Sequence, residues 1–137
     1  MEKREWLLLS IGESMEPIQI QKTLFKFAME SKAASTELYS FIPYNWGPCS
    51  MEIYDDLSGL RDENLVEFAP SGRGWNIYHL TKEGAKKATD LRKSANRKLV
   101  KNIDSIHEYV VNRDFETLLS DIYSDYPDYA KESLFEV

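Results

Sequence analysis

The 137-residue sequence has one cysteine, Cys49, and two histidines, His79 and His107, which are far apart in the chain. A single cysteine excludes an internal disulfide bond and a cysteine-rich zinc cluster. The separated histidines lack the spacing of metal ligands. We therefore expect no metal site and no cofactor.

Long apolar segments are also missing. The longest apolar run near the N-terminus is Trp6-Leu7-Leu8-Leu9, whereas a membrane-spanning helix needs about 20 predominantly apolar residues. The same run is too short for the core of a secretory signal, and Glu2 and Glu5 precede it. These features predict a cytoplasmic protein that does not associate with membranes.

Groups that could support catalysis are sparse. Cys49 precedes a predicted helix, whose dipole would lower the thiol pKa, but no histidine lies near it in the sequence to act as a base. Gly72 and Gly74 belong to the tip of a predicted hairpin, which is not the strand-to-helix turn of a phosphate-binding loop. Asp55 and Asp56 are adjacent, so their side chains diverge on a helix. We expect that the protein is not an enzyme.

Charge is distributed unevenly along the chain. The net charge is −6, made up of −5 over residues 1–81, +6 over residues 82–103 and −7 over residues 104–137. A negative total argues against nucleic-acid binding. The basic segment fits three interpretations: an ordinary solvated helix face, a stripe that contacts phosphates, or a helix covered by an acidic tail.

Hydrophobic periodicity and capping residues predict three helices in the N-terminal half of the chain. They cover residues 3–12, a segment that begins at Pro17, and residues 50–64 with Ser50 as the cap. Between the second and third helices, residues 38–42 favour a strand that ends at Pro43, and residues 44–48 favour a turn. The aromatic residues of this region are interpreted either as a binding patch or as packing against the core; they are Tyr39, Phe41, Tyr44, Trp46 and Tyr54.

Residues 65–80 predict a two-stranded hairpin that leads directly into a helix. Val66 and Phe68 alternate with polar residues, and residues 70–74 supply turn chemistry. Thr81 is the expected helix cap, and Gly84 permits close packing in the first turn. The side chains predicted to be buried around this hairpin are Leu24, Phe27, Ile53, Leu57, Leu60 and Leu80.

The C-terminal part predicts one long helix from Lys82 and a last helix from Asp114 to about Tyr123. An apolar seam from Ala88 to Val110 favours helix pairing and exceeds what a small domain can cover. We therefore expect a homodimer formed through these helices. Tyr123, Tyr126 and Tyr129 would anchor the tail onto the body or onto a second copy.

The segment that ends in Y-x-L-T-x-E-G at Tyr78 to Gly84 resembles the end of the wing in many winged-helix regulators. Three further stretches resemble the YwgA-like winged-helix proteins of bacteria and archaea: Ile18 to Phe25, Phe41 to Ser50, and Ile122 to Tyr129. The Gly47-Pro48 pair is also similar to the Panacea/SocA-type antitoxin domain over a short stretch.

These resemblances imply an α+β, mostly helical fold: a winged helix-turn-helix with a two-stranded wing and a C-terminal helical extension. The winged-helix domain would occupy residues 1–84, and the extension, residues 85–137, would form the dimer. The YwgA-like resemblance implies little about biochemistry, because winged helices bind DNA, proteins or both.

The third helix is poorly suited to recognising DNA bases, because it carries five carboxylates and only one cation, Arg61. The predicted DNA contacts therefore lie elsewhere and go mainly to phosphates; they are Arg73, Lys22, Lys26, Lys86, Lys93 and Arg97. The function expected from the sequence is a winged-helix DNA-associated protein acting as a transcriptional regulator. The alternative is a protein-interaction module, antitoxin-like or an adaptor subunit, that does not bind DNA.

Overall fold

The structure is a computed structural model that describes residues 1–31 and 38–135. Within these ranges the fold is α+β and mostly helical, with six α-helices and two antiparallel two-stranded sheets. The helices are α1 (Lys3–Ile11), α2 (Pro17–Glu30), α3 (Glu52–Asp62), α4 (Lys82–Ser94), α5 (Arg97–Val111) and α6 (Phe115–Asp125). The strands are β1 (Ile42–Tyr44), β2 (Gly47–Cys49), β3 (Val66–Pro70) and β4 (Asn76–Leu80), and a 3-10 helix (Pro127–Ala130) follows α6. None of the helices in the two ranges combines the length and apolar character needed to cross a bilayer.

Helix α1 lies at the centre of the molecule. Residues 6–11 are all buried, and α1 contacts α2, α3, α4, α5 and β4. A helix that is apolar on every side is stable only when it is enclosed, and these neighbours enclose it. Gly12 ends the helix in the left-handed region, with φ of 64°, as the sequence predicts.

Helix α2 begins at Pro17, as expected, and carries the most connected aromatic side chain of the core. The Phe25 ring meets the rings of Phe41, Tyr126 and Tyr129 at centroid distances of 5.4, 5.1 and 4.7 Å. The tail tyrosines therefore anchor the C-terminal segment onto the body of the same chain.

The region between α2 and α3 differs from the predicted strand at 38–42 and turn at 44–48. Strands β1 and β2 form a hairpin in which Pro43 lies opposite Pro48, and only Asn45 and Trp46 form the turn. Proline cannot donate a backbone hydrogen bond, so two opposed prolines fit an antiparallel pair only where no hydrogen bonds are exchanged. Pro43 and Pro48 occupy such a position. The prolines of one segment alone do not indicate a strand, because its compatibility with the sheet depends on the residue opposite.

Helix α3 does not use Ser50 as its cap, which corrects the prediction. Met51 occupies the cap position without a side-chain hydrogen bond. The Ser50 backbone is instead held by the buried side chain of Gln21, whose Nε2 donates to the Ser50 carbonyl (2.8 Å) and whose Oε1 accepts from the Ser50 amide (2.9 Å). Helix α2 thus fixes the point at which α3 begins.

Strands β3 and β4 confirm the hairpin predicted at 65–80, with register from Val66 opposite Leu80 to Pro70 opposite Asn76. Met15, in the α1–α2 connection, pairs with Tyr78 through two backbone hydrogen bonds of 2.8 and 2.9 Å. Five of the six side chains predicted to be buried here are buried, and Leu80 is half-buried.

The predicted long helix from Lys82 is in fact two helices, α4 and α5. Ala95 is extended (φ −81°, ψ 162°), and the Asn96 side chain accepts a hydrogen bond from the Leu99 amide (3.1 Å) to start α5. Arg92 and Asp104 bridge the two helices at 2.6 Å. The apolar period of the sequence continues across this break and therefore predicts a single helix.

Because of this break, α5 folds back onto α1 and α2. Ile103, Ile106 and Val110 from the predicted seam are buried within the same chain. They belong to one apolar core that also includes Leu7 and Phe25, so residues on both sides of the expected boundary at 84/85 share that core. Leu91, Ala95 and Leu99 of the seam remain half-buried. The chain therefore covers much of the seam itself, so the seam alone does not require a partner, and the homodimer stays a prediction.

Two helical glycines give a matched test of this packing. A Cβ at position 84 would lie 1.9 Å from the backbone carbonyl oxygen of Leu65, whereas a Cβ at position 59 would have no atom within 4 Å. Gly84→Ala should lower the free energy of unfolding by about 3 kcal/mol or more, because backbone must move.

The control, Gly59→Ala, should raise the free energy of unfolding by up to about 1 kcal/mol, since alanine favours helix. Urea denaturation followed by circular dichroism measures both variants. Equal stabilities for the two would contradict the close approach of α4 to Leu65.

Candidate interaction surfaces

Lys22, predicted to contact DNA phosphates, is buried instead, and that prediction is wrong. Its side chain is 2% exposed, and its Nζ donates to the Pro48 carbonyl at 2.8 Å. The β1–β2 hairpin covers it: a Cβ at Gly47 would lie 3.4 Å from the Lys22 Cε atom. Lys22 therefore holds the hairpin on α2.

Lys26, one turn further along α2, is also withdrawn from the surface, contrary to prediction. Its side chain is only 13% exposed, with Nζ 3.8 Å from a Glu30 carboxylate oxygen and 4.8 Å from the centre of the Tyr109 ring. A lysine whose ammonium lies over an aromatic ring and beside a carboxylate already interacts with two groups of its own chain, which makes it less available to a phosphate. Helix α5 supplies Tyr109, so the Lys26 ammonium is engaged by α5 and by its own helix.

The other four predicted contacts remain exposed. Arg73 lies at the tip of the β3–β4 hairpin between Gly72 and Gly74, whose φ values are positive. Lys86 and Lys93 lie on the side of α4 opposite the buried Ala88, and Arg97 begins α5. Together with Lys82, the two lysines form a basic stripe along α4, and none of the three takes part in an ion pair within the described ranges.

The acidic side chains of α3, together with Glu63 just after it, divide into two groups. Those on the side facing α1 are partnered: Glu52 pairs with Lys3, Glu63 pairs with Arg4, and Asp56 accepts from the Tyr39 hydroxyl at 2.6 Å. Asp55 and Asp62 are exposed on the outward side, seven residues apart and so about 10 Å apart along the axis. The cation on this helix, Arg61, stacks on the Phe68 ring at 4.4 Å.

Exposed apolar side chains concentrate around the β1–β2 hairpin. Among the described residues, seven of the ten large apolar side chains that are exposed belong here, each between 38% and 65% accessible. We call them the hairpin patch: Ile42, Tyr44, Trp46, Met51, Tyr54, Phe115 and Leu134.

Tertiary contacts join the two C-terminal members of the patch, Phe115 and Leu134, to the β1–β2 turn. The Trp46 and Phe115 rings meet edge to face at 5.7 Å, and the Leu134 amide donates to the Asn45 carbonyl at 2.8 Å. Burial raises the pKa of the Tyr54 phenol, and its neighbours Cys49 and Tyr44 act in the same direction. The aromatic cluster recognised in the sequence thus divides: Tyr39 packs into the core, whereas Tyr44, Trp46 and Tyr54 lie at the surface.

The residues considered for catalysis or metal binding are separated. Burial raises the pKa of the Cys49 thiol, although the Lys22 ammonium opposes this effect; the expected lowering by the α3 dipole does not prevail. His79 pairs with Glu67 at 2.9 Å, and His107 Nδ1 bonds to the Ser10 carbonyl at 2.8 Å. Over residues 1–31 and 38–135, no three histidine, cysteine or carboxylate side chains are grouped as metal ligands.

Comparison with known proteins supplies no assignment for these surfaces. No family model matches the chain, and no curated protein matches it. Function is therefore inferred from the chemistry that the surfaces present.

The buried ammonium of Lys22 gives a prediction about pH. Desolvation lowers its pKa from 10.5 to about 8 in the folded protein. Between pH 8 and 10.5 the unfolded chain holds a proton that the folded protein has released, so this group makes stability rise with pH. Below pH 8 both states are protonated, and the full cost of burying the charge applies.

Wild-type protein should therefore gain up to about 3 kcal/mol of unfolding free energy relative to Lys22→Met between pH 8 and 10.5. Chemical denaturation at several pH values measures the difference between the two proteins. Lys86→Met, at an exposed position, should show no such trend, and a constant difference for Lys22→Met would contradict the burial of a charged amine.

Proposed function

We propose that the protein is a winged-helix protein that acts as a protein-interaction module. The winged-helix assignment is supported by the order of elements: α1, the single-residue strand at Met15, α2, α3, the β3–β4 hairpin and α4, with the β1–β2 hairpin inserted between α2 and α3. In that arrangement α3 takes the place of the recognition helix, and β3–β4 takes the place of the wing. The resemblance to the YwgA-like family points to the same fold.

The observation that carries the functional proposal is the outward face of α3. A helix that reads DNA presents cations and amides to a groove lined with phosphates. The exposed side chains on the outward side of α3 are instead Met51, Asp55, Ser58 and Asp62. Two carboxylates and a thioether suit a protein surface, and they would be repelled by a DNA backbone.

A second candidate, DNA association of a transcriptional regulator, is favoured by a different observation. Arg73 and the basic stripe on α4 are exposed and free of ion pairs within the described ranges. These groups suit phosphate contact, with Arg73 shaped to enter a minor groove. The proposal for DNA therefore keeps Arg73, Lys86, Lys93 and Arg97, without Lys22 and Lys26.

The two candidates predict opposite results in a DNA-binding titration. With a labelled mixed-sequence duplex at low salt, a protein-interaction module should show no saturable change in fluorescence anisotropy. A DNA-associated protein should bind, lose tenfold or more in affinity by physiological salt, and lose binding altogether in the Arg73→Glu, Lys86→Glu double variant.

The control in this titration is Asp55→Ala, which removes a carboxylate from α3. If DNA is bound through the wing and α4, this variant should bind as well as wild type or more tightly. Tight, sequence-specific binding that Asp55→Ala abolishes would contradict both proposals.

A crosslinking experiment tests the interaction module directly. A photo-crosslinking amino acid placed at Ser58, on the outward face of α3, should give a protease-sensitive adduct in cells of the source organism. The same amino acid at Thr89, which lies on the outward side of α4, should give nuclease-sensitive adducts if DNA is bound. Adducts only at Thr89 would reject the interaction module.

A further inference from the structure

We propose that the hairpin patch is the docking site for a basic amphipathic segment of a partner protein, in which apolar side chains alternate with lysines or arginines. This inference rests on the proposed function, because it names the chemistry of the partner that the module would bind. Two independent properties of the patch support it, namely its apolar composition and the charge of its surroundings.

The patch is apolar because the fold leaves large aromatic and aliphatic side chains partly exposed to solvent at this place. Trp46 packs edge to face on Phe115, which packs edge to face on Phe135, so these rings are held in place before any partner arrives. Rigid aromatic side chains lose little conformational entropy on binding, which is why tryptophan and tyrosine dominate binding energy at interfaces. Their ring faces also attract arginine and lysine.

The electrostatic property is a scarcity of cations in the segments that form the patch, where Arg113 and Lys131 only border residues 114–130. Neither residues 38–60 nor residues 114–130 contain a lysine or arginine, and these two segments supply six of the seven patch residues. Exposed carboxylates lie beside the patch residues in the sequence: Asp55 on α3, and Asp114 and Glu116 at the start of α6. Lys22, which lies beneath the β1–β2 hairpin, is buried under Gly47.

An apolar patch with a carboxylate rim is complementary to a segment with an apolar centre and basic flanks. A nucleic acid would meet the same carboxylates with phosphates and be repelled. The basic stripe of a second copy matches the charge, but Thr89, the residue between Lys86 and Lys93 on the same side of α4, is small and polar. The stripe therefore has nothing to cover Trp46 and Tyr54.

The test uses full-length protein and a twelve-residue peptide of alternating leucine and arginine pairs as the probe. Binding is measured by isothermal titration calorimetry at physiological salt. The peptide should bind with a dissociation constant in the micromolar range, and a peptide with glutamate in place of arginine should not bind.

Matched variants separate docking at the patch from general attraction to an acidic protein. Trp46→Ser should weaken binding about tenfold, whereas Trp75→Ser, which removes a tryptophan of similar exposure (40% against 44%) outside the patch, should change it less than twofold. Asp55→Lys with Glu116→Lys should weaken binding about tenfold. Asp90→Lys with Glu108→Lys makes the same change of net charge on α4 and α5, and should have little effect.

Each other outcome overturns the inference. Equal losses of peptide affinity in the patch variants and their controls would show nonspecific attraction to an acidic protein. No binding up to millimolar peptide would show that the partner segment is not basic and amphipathic. Wild-type self-association that Trp46→Ser abolishes in light scattering would make a second copy the occupant. If the peptide fails but a crosslinker at Ser58 still captures protein, the inference fails and the proposed function stands; if DNA is the only adduct, both fail.

Discussion

The enclosure of α1 is the constraint on which the other elements depend. Its residues 6–11 are buried on every side, so α2, α3, α4 and α5 must all pack around it. Its two ends are then fixed by polar contacts, from Lys3 and Arg4 to carboxylates of α3 and from His107 to the Ser10 carbonyl. The surfaces that remain for partners are the outer sides of the elements in this shell.

Helix α2 shows how this packing decides which charges reach the surface. The side chains of Gln21 and Lys22 form hydrogen bonds with the backbone of residues 48–50, and Lys26 lies against α5. The cations of α2 are thus turned into the fold, whereas Lys82, Lys86 and Lys93 of α4 are exposed. The result is an acidic, aromatic side around β1–β2 and α3 and a basic side along α4 on one small protein.

Much of the fold could be predicted from local sequence signals. Pro17, Thr81 and the turn residues around Gly72 act within a few residues of the chain, and each marks its element correctly. The α4–α5 break was missed because Asn96 is a cap embedded in an apolar period that continues through it. A capping residue and a hydrophobic pattern gave opposite indications there, and the cap prevailed.

The candidate site was harder to predict, because burial of a side chain depends on segments far away in the sequence. Nothing near Lys22 indicates that residues 47–48 will cover it, and lysine on a helix is ordinarily exposed. Conversely, the residue types of Trp46 and Tyr54 alone would suggest that both are buried in the core. Their exposure follows from the position of the hairpin at the edge of the molecule, which only the three-dimensional arrangement reveals.

The hairpin patch has a consequence for when the protein becomes able to bind. Its residues come from 42–54, from Phe115 and from Leu134, and the last two reach the hairpin only after α5 and α6 have folded back. Bringing segments so distant in sequence together costs more chain entropy than closing the β1–β2 turn alone. A surface assembled this way exists only on the finished fold, so a partner that recognises it would distinguish mature molecules from nascent or partly unfolded ones.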